Sequence, residues 1–168
     1  MSNEVFHECR VAGRTFTSEQ WGEYCQETRI DPSKRIVTHI GKYDFNDFDI
    51  CLNPEVMTLA VDRSSYGYYV TLKWADCGNG LWAYAIDYCT GTGGGGYGVS
   101  WADHLDGGGD HHGGYRSEQD AILAACDEAI TRLQHSGHDN EEKTKRLMRM
   151  VEDYKKQIRP RYVQLELF

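Results

Sequence analysis

Long apolar runs are absent from this 168-residue chain. None approaches the ~20 consecutive apolar residues that cross a bilayer, and the opening MSNEVFHECR has neither the basic nor the apolar stretch of a secretory leader. A soluble, cytoplasmic protein is expected. Paired cysteines are missing too: the thiols at 9, 25, 51, 77, 89 and 126 are scattered, with no CxxC. That spacing excludes a zinc ribbon and a dense disulfide scaffold, and leaves reduced, mostly buried thiols as the expectation. The common catalytic signatures GxxxxGK(S/T), GxSxG and HExxH are also lacking.

What is present is enough for one folded domain. The apolar fraction is 40%, and 11 Tyr, 5 Phe and 4 Trp argue against disorder. Charge is distributed unevenly. Residues 1–142 carry 10 Lys and Arg against 23 Asp and Glu, a net −13, whereas residues 143–168 carry 8 against 3, a net +5. An acidic body repels nucleic acid and attracts basic protein surfaces, including those that hold DNA. Direct nucleic-acid binding is therefore not expected.

The periodicities alternate between classes along the chain. TFTSEQWGEYCQET reads as a short helix, with Thr17 and Gln20 in capping-box spacing and Asp31-Pro32 ending it. RIVTHIGKYDF and VMTLAVD have the β-branched alternation of strands. YGYYVTLKWADCGNGLWAYAIDYC reads as a hairpin, two aromatic and β-branched runs around the turn 76–80. Residues 90–115 contain 11 glycines in 26 positions, which cannot bury a continuous apolar face; a long loop is expected, with Tyr97 to Ala102 able to add a short strand. Ser117 then opens a helix with the stripe Ile122, Ala125, Ala129, Ile130 and Leu133. After HSGHDN, a second helix carries Leu147, Met150, Val151, Tyr154 and Ile158, and the two should pair antiparallel. Pro160 is expected to stop it.

These elements predict an α+β fold: an antiparallel sheet of three to five strands, covered on one face, with a C-terminal helical hairpin and a short N-terminal helix. Residues 1–159 form the expected single domain, with the Gly-rich loop at 90–115, and residues 160–168 an extended C-terminal peptide.

Chemistry-bearing residues cluster in one place. His104, Asp110, His111 and His112, with Asp103 and Asp106, put metal-capable side chains within ten residues, although their spacing matches no closed site. Solvation of a surface loop is the simpler account. Cys89 could meet His104 or His111 as a thiolate pair, but its strand position suggests a buried thiol. The basic residues of the last helix, from Lys143 to Arg159, share it with Glu152 and Asp153, and mixed signs weaken a phosphate-binding field. No cofactor is expected.

The clearest functional signal is Gln164-Leu165-Glu166-Leu167-Phe168. This pentapeptide resembles the peptide by which bacterial replication and repair proteins dock on the DNA sliding clamp, usually Gln-Leu, then Ser or Asp, then Leu-Phe. Glu166 departs from the pattern at the third position, keeping the acid but lengthening the side chain. The resemblance implies that Leu167 and Phe168 fill one apolar pocket, that Leu165 packs beside them, and that the Gln164 amide hydrogen-bonds at the rim. The body, Tyr69 to Leu133, resembles small accessory proteins of phages and plasmids.

The expected function is thus non-enzymatic: a protein-binding accessory factor of a bacterium, phage or plasmid that docks on the sliding clamp and modulates a DNA transaction. One alternative is an acidic counter-defence inhibitor, of anti-CRISPR or anti-restriction type, that blocks a nuclease's DNA-binding surface. Another is a metal-dependent enzyme using His104, Asp110, His111 and His112.

Overall fold

The structure, a computed structural model, describes residues 3–63, 67–105 and 112–166, the last seven of these by backbone alone. Strands β1 (His7–Cys9) and β2 (Arg14–Phe16) form a small hairpin, followed by α1 (Ser18–Ile30). The capping box forms as expected: Thr17 Oγ1 accepts from the Gln20 amide at 3.3 Å and Gln20 Oε1 accepts from the Thr17 amide at 2.9 Å. RIVTHIGKYDF folds as a second hairpin, β3 (Thr38–Ile40) and β4 (Tyr43–Phe45), rather than one strand. Gly41 makes the reversal in the left-handed region at φ +59°.

The body is a four-stranded antiparallel sheet in the order β5 (Glu55–Asp62), β6 (Tyr68–Asp76), β7 (Trp82–Thr90), β8 (Gly93–Gly96). Gly78, Asn79 and Gly80 all take positive φ in the β6–β7 turn, which explains why that turn is built of these residue types. Asp76 Oδ1 braces it by accepting from the Gly78 amide at 2.8 Å.

Alternation assigns the two faces of the sheet. Val70, Leu72, Trp74, Tyr84 and Ile86 meet α2 (Glu118–Gln134) and α3 (Glu142–Glu166) in the main core, where Ala125, Ala129, Leu133, Leu147 and Val151 are fully buried. The other face is covered over part of its area. Ala75, Ala83 and Ala85 are small enough to let Tyr43, Phe45, Cys51 and Val99 pack close, giving a second core. The N-terminal elements are tied on by the 46–50 loop: Asp49 accepts from the Val11 amide at 2.9 Å, and Asp47 from the Tyr24 hydroxyl at 2.8 Å.

Two expectations are corrected. The glycine-rich segment is not a continuous loop, because Gly93 to Gly96 are the fourth strand, paired with Asp87 to Thr90. Scarcity of apolar side chains excludes a buried face but not backbone pairing, and here glycine is required by fit. A Cβ on Gly94 would lie 2.5 Å from the Tyr88 carbonyl oxygen, and one on Gly96 would lie 1.9 Å from the Asp87 carboxylate. Residues 97–102 form no named strand; Ser100 makes an isolated bridge to Ile50, and Trp101–Leu105 is a 3-10 turn.

The second correction concerns Pro160. The helix does not stop there but continues to Glu166, so residues 160–166 are helical rather than extended. Proline removes one amide, the one that would reach the Lys156 carbonyl, while the arginines and glutamine around it are good helix formers. Leu167 and Phe168 lie outside the described residues.

Candidate functional site

Gln164 and Leu165 fall on the helical backbone of α3, and Leu167 and Phe168 lie outside the described residues. Ile158, 6% exposed, is the last residue of the main core among the α3 side chains described, and Arg159 after it is exposed. The helical backbone from 159 to 166 thus runs about two turns beyond that contact.

The His/Asp cluster is divided. His104 is buried, and its Nδ1 bonds the Trp101 carbonyl while its ring stands edge-on to that indole at 4.5 Å. Asp110 and His111 lie outside the described residues. His112 points instead into a network between β7, Tyr97 and α2. Its Nε2 is 3.3 Å from Glu128 Oε1, and its Nδ1 is 3.9 Å from Asp103 Oδ2. Glu128 also accepts from the Tyr97 hydroxyl and, at 3.2 Å, from Arg132. Tyr97 lies tilted over the His112 ring at 4.5 Å, and Tyr84 meets that ring edge-on at 5.3 Å. Burial first, and the Glu128 charge after it, pushes the Tyr84 phenol far above its ordinary value; burial and the hydrogen bond to Glu128 do the same to Tyr97. Among the described residues no group of three or more His, Cys, Asp or Glu is placed to hold a metal ion.

Cys89 is half-buried, with its thiol donating to the Gly91 carbonyl at 3.5 Å. Three basic residues of α3 are tied to acids: Lys143 to Asp62 at 3.5 Å, Arg149 to Glu142 at 2.9 Å and Lys155 to Asp127. Pairing of opposite signs at these positions weakens the positive field along the helix.

A cleft of about 400 Å³ opens where the β3–β4 turn, the β6–β7 turn and the first turn of α2 converge. Its walls are Ile40, Tyr43, Trp82, Asp76 and Glu118, with Lys42 at the rim. The Trp82 and Tyr43 rings meet edge-on at 6.4 Å, and Trp74 Nε1 holds Glu118 Oε1 at 2.9 Å. Lys42 pairs with Glu55 and stands 5.3 Å above the Tyr43 ring. That hydrogen bond from Lys42 holds the Glu55 carboxyl below the usual carboxylate range. The cleft thus sets the Tyr43 and Trp82 rings beside the Asp76 and Glu118 carboxylates, with the Lys42 side chain also in its lining.

Sequence reasoning found His112 but missed its partner Glu128, although Glu128 and Arg132 at i, i+4 were a visible signal. The cleft was invisible because three separated segments build it. Compared with known protein families, with characterised proteins and with solved structures, the chain matches none.

Proposed function

We propose that this chain is a non-enzymatic protein-binding factor of a bacterium, phage or plasmid that docks on the DNA sliding clamp through Gln164, Leu165, Leu167 and Phe168. The observation that carries this reading is the sequence Gln164 to Phe168, which keeps four of the five positions of the clamp-docking peptide. The acidic body, net −13 over residues 1–142, disfavours direct contact with DNA. Modulation of a DNA transaction therefore runs through protein contacts. A short segment with two or three apolar anchors gives an affinity of about micromolar.

The test is fluorescence anisotropy of labelled full-length protein titrated with purified bacterial clamp. Leu167→Ala/Phe168→Ala should bind at least about tenfold more weakly, as expected for loss of two central apolar anchors. Equal binding of both proteins, or no binding of the parent, overturns the proposal.

A further inference from the structure

The sheet has an end that nothing described covers. Among the described residues, the backbone groups of Val56 to Val61 hydrogen-bond only towards β6, so the outer edge of β5 carries a row of amides and carbonyls with no described partner. No residue of this strand reaches full burial; Val56 is 55% exposed, and Met57, Leu59 and Val61 are only partly covered by the helices. Natural sheets usually guard such an edge with lysine, proline or a bulge within the strand. Here Pro54 precedes the strand and the register irregularity falls at its far end, between Ala60 and Asp62, leaving Glu55 to Ala60 regular.

We propose that β5 pairs antiparallel with β5 of a second copy of this chain, joining two four-stranded sheets into one of eight strands across a two-fold axis at Thr58. This inference is independent of the clamp reading. The strand is self-complementary about that residue. A two-fold there sets Met57 opposite Leu59 of the other copy on the helix-covered face, bringing four half-covered apolar side chains together. On the open face it sets Val56 opposite Ala60 and Thr58 opposite its own symmetry mate. Thr58 already bonds Thr71 across the sheet, hydroxyl to hydroxyl at 3.0 Å, so the row of threonines continues through the axis.

Charge selects the occupant. The only ionisable residues of β5 are its end residues, Glu55 and Asp62, each already held by a lysine, Lys42 and Lys143. A charged partner strand would find no opposite charge along the edge, whereas an uncharged β-branched strand fits. The two-fold also brings the Lys42–Glu55 pair of one copy towards the Lys143–Asp62 pair of the other, so ions of both signs meet at each end. One strand edge makes a small interface, with dissociation in about the micromolar range.

Sedimentation velocity of the full chain from about 1 to about 200 µM, spanning that range, should show conversion from 19.2 kDa to twice that mass. Thr58→Lys, which opposes two ammonium groups on the axis, should remain monomeric throughout with an unchanged far-UV circular dichroism spectrum. In a Cys25→Ser background, which removes the exposed native thiol, Thr58→Cys should form a disulfide-linked dimer on mild oxidation. A parent that stays monomeric at all concentrations, or a dimer whose midpoint is the same in Thr58→Lys, overturns the proposal. So does Thr58→Cys cross-linking no faster than its background.

Discussion

His112 Nε2 lies 3.3 Å from Glu128 Oε1, bridging the strap of chain that returns to β7 and the middle of α2. The same carboxylate accepts from Tyr97 and from Arg132 one turn along α2, so two other segments and its own helix meet on one side chain that is 14% exposed. A carboxylate in that position works as a fastener. Its loss would leave a tyrosine hydroxyl, an imidazole and a guanidinium competing for water in a confined space.

Glu128→Ala is therefore expected to destabilise the protein by about 2–3 kcal/mol, the range for removing the shared partner of a largely buried polar network. For a chain of this size that corresponds to a fall in Tm of about 5–10 °C by calorimetry. Glu128→Gln, which keeps an acceptor but loses the charge, should fall roughly half as far. A Tm within 1 °C of the parent for Glu128→Ala, small against the ~2–4 °C expected per kcal/mol, would show that the network contributes nothing.

The buried phenols give a second expectation, in alkali. Tyr84 and Tyr97 have folded-state values raised above the ordinary 10.0, chiefly by burial. Below pH 10 both the folded and unfolded phenols are neutral, and their contribution to stability is fully present. As pH rises beyond that, the unfolded chain releases protons that the folded chain holds, so stability falls. Cys77 and Cys126, pushed up to about 12 by burial from 9.0, act with the same sign between those values. Urea-unfolding midpoints should decline from pH 9 to pH 11, and Tyr97→Phe should decline less steeply. Parallel profiles for the two proteins would contradict this account.

Gly94→Ala tests the glycine strand. The new methyl would meet the Tyr88 carbonyl oxygen at 2.5 Å, and a backbone atom paired in the sheet cannot move aside as a flexible side chain can. A loss of about 1–3 kcal/mol is expected, the usual cost of forced overpacking. Amide exchange should accelerate at residues 93–96 before it does so in β6. Gly95→Ala, whose methyl would stand 3.6 Å from the Tyr88 ring, should be much milder.

The helices and the central hairpin were legible because their signals are local. Thr17 and Gln20 stand at capping-box spacing, and the aromatic runs around 76–80 read directly as strand, turn, strand. Gly93 to Gly96 were illegible as a strand because propensity describes what a side chain favours, and here the determinant is the space that Tyr88 and Asp87 leave free of any side chain. Pro160 misled in the opposite direction. A single missing amide is a local penalty, and a long helix anchored by Leu147, Val151 and Ile158 tolerates it. The Glu128 network depends on Tyr97, His112 and α2 meeting across the edge of β7, a relationship between segments that sequence periodicity does not contain.

The outer edge of β7 is met twice by the same excursion of the chain. The Tyr97 amide donates to the Ile86 carbonyl at 3.2 Å, and the Tyr84 amide donates to the His112 carbonyl at 2.7 Å. Departure and return are two residues apart on one strand, and Gly113 rests so closely on Asp103 that a Cβ would come within 2.4 Å of its carbonyl carbon. One strand therefore moors both ends of the excursion, and a disturbance at either Tyr97 or His112 is felt at the same short stretch of β7.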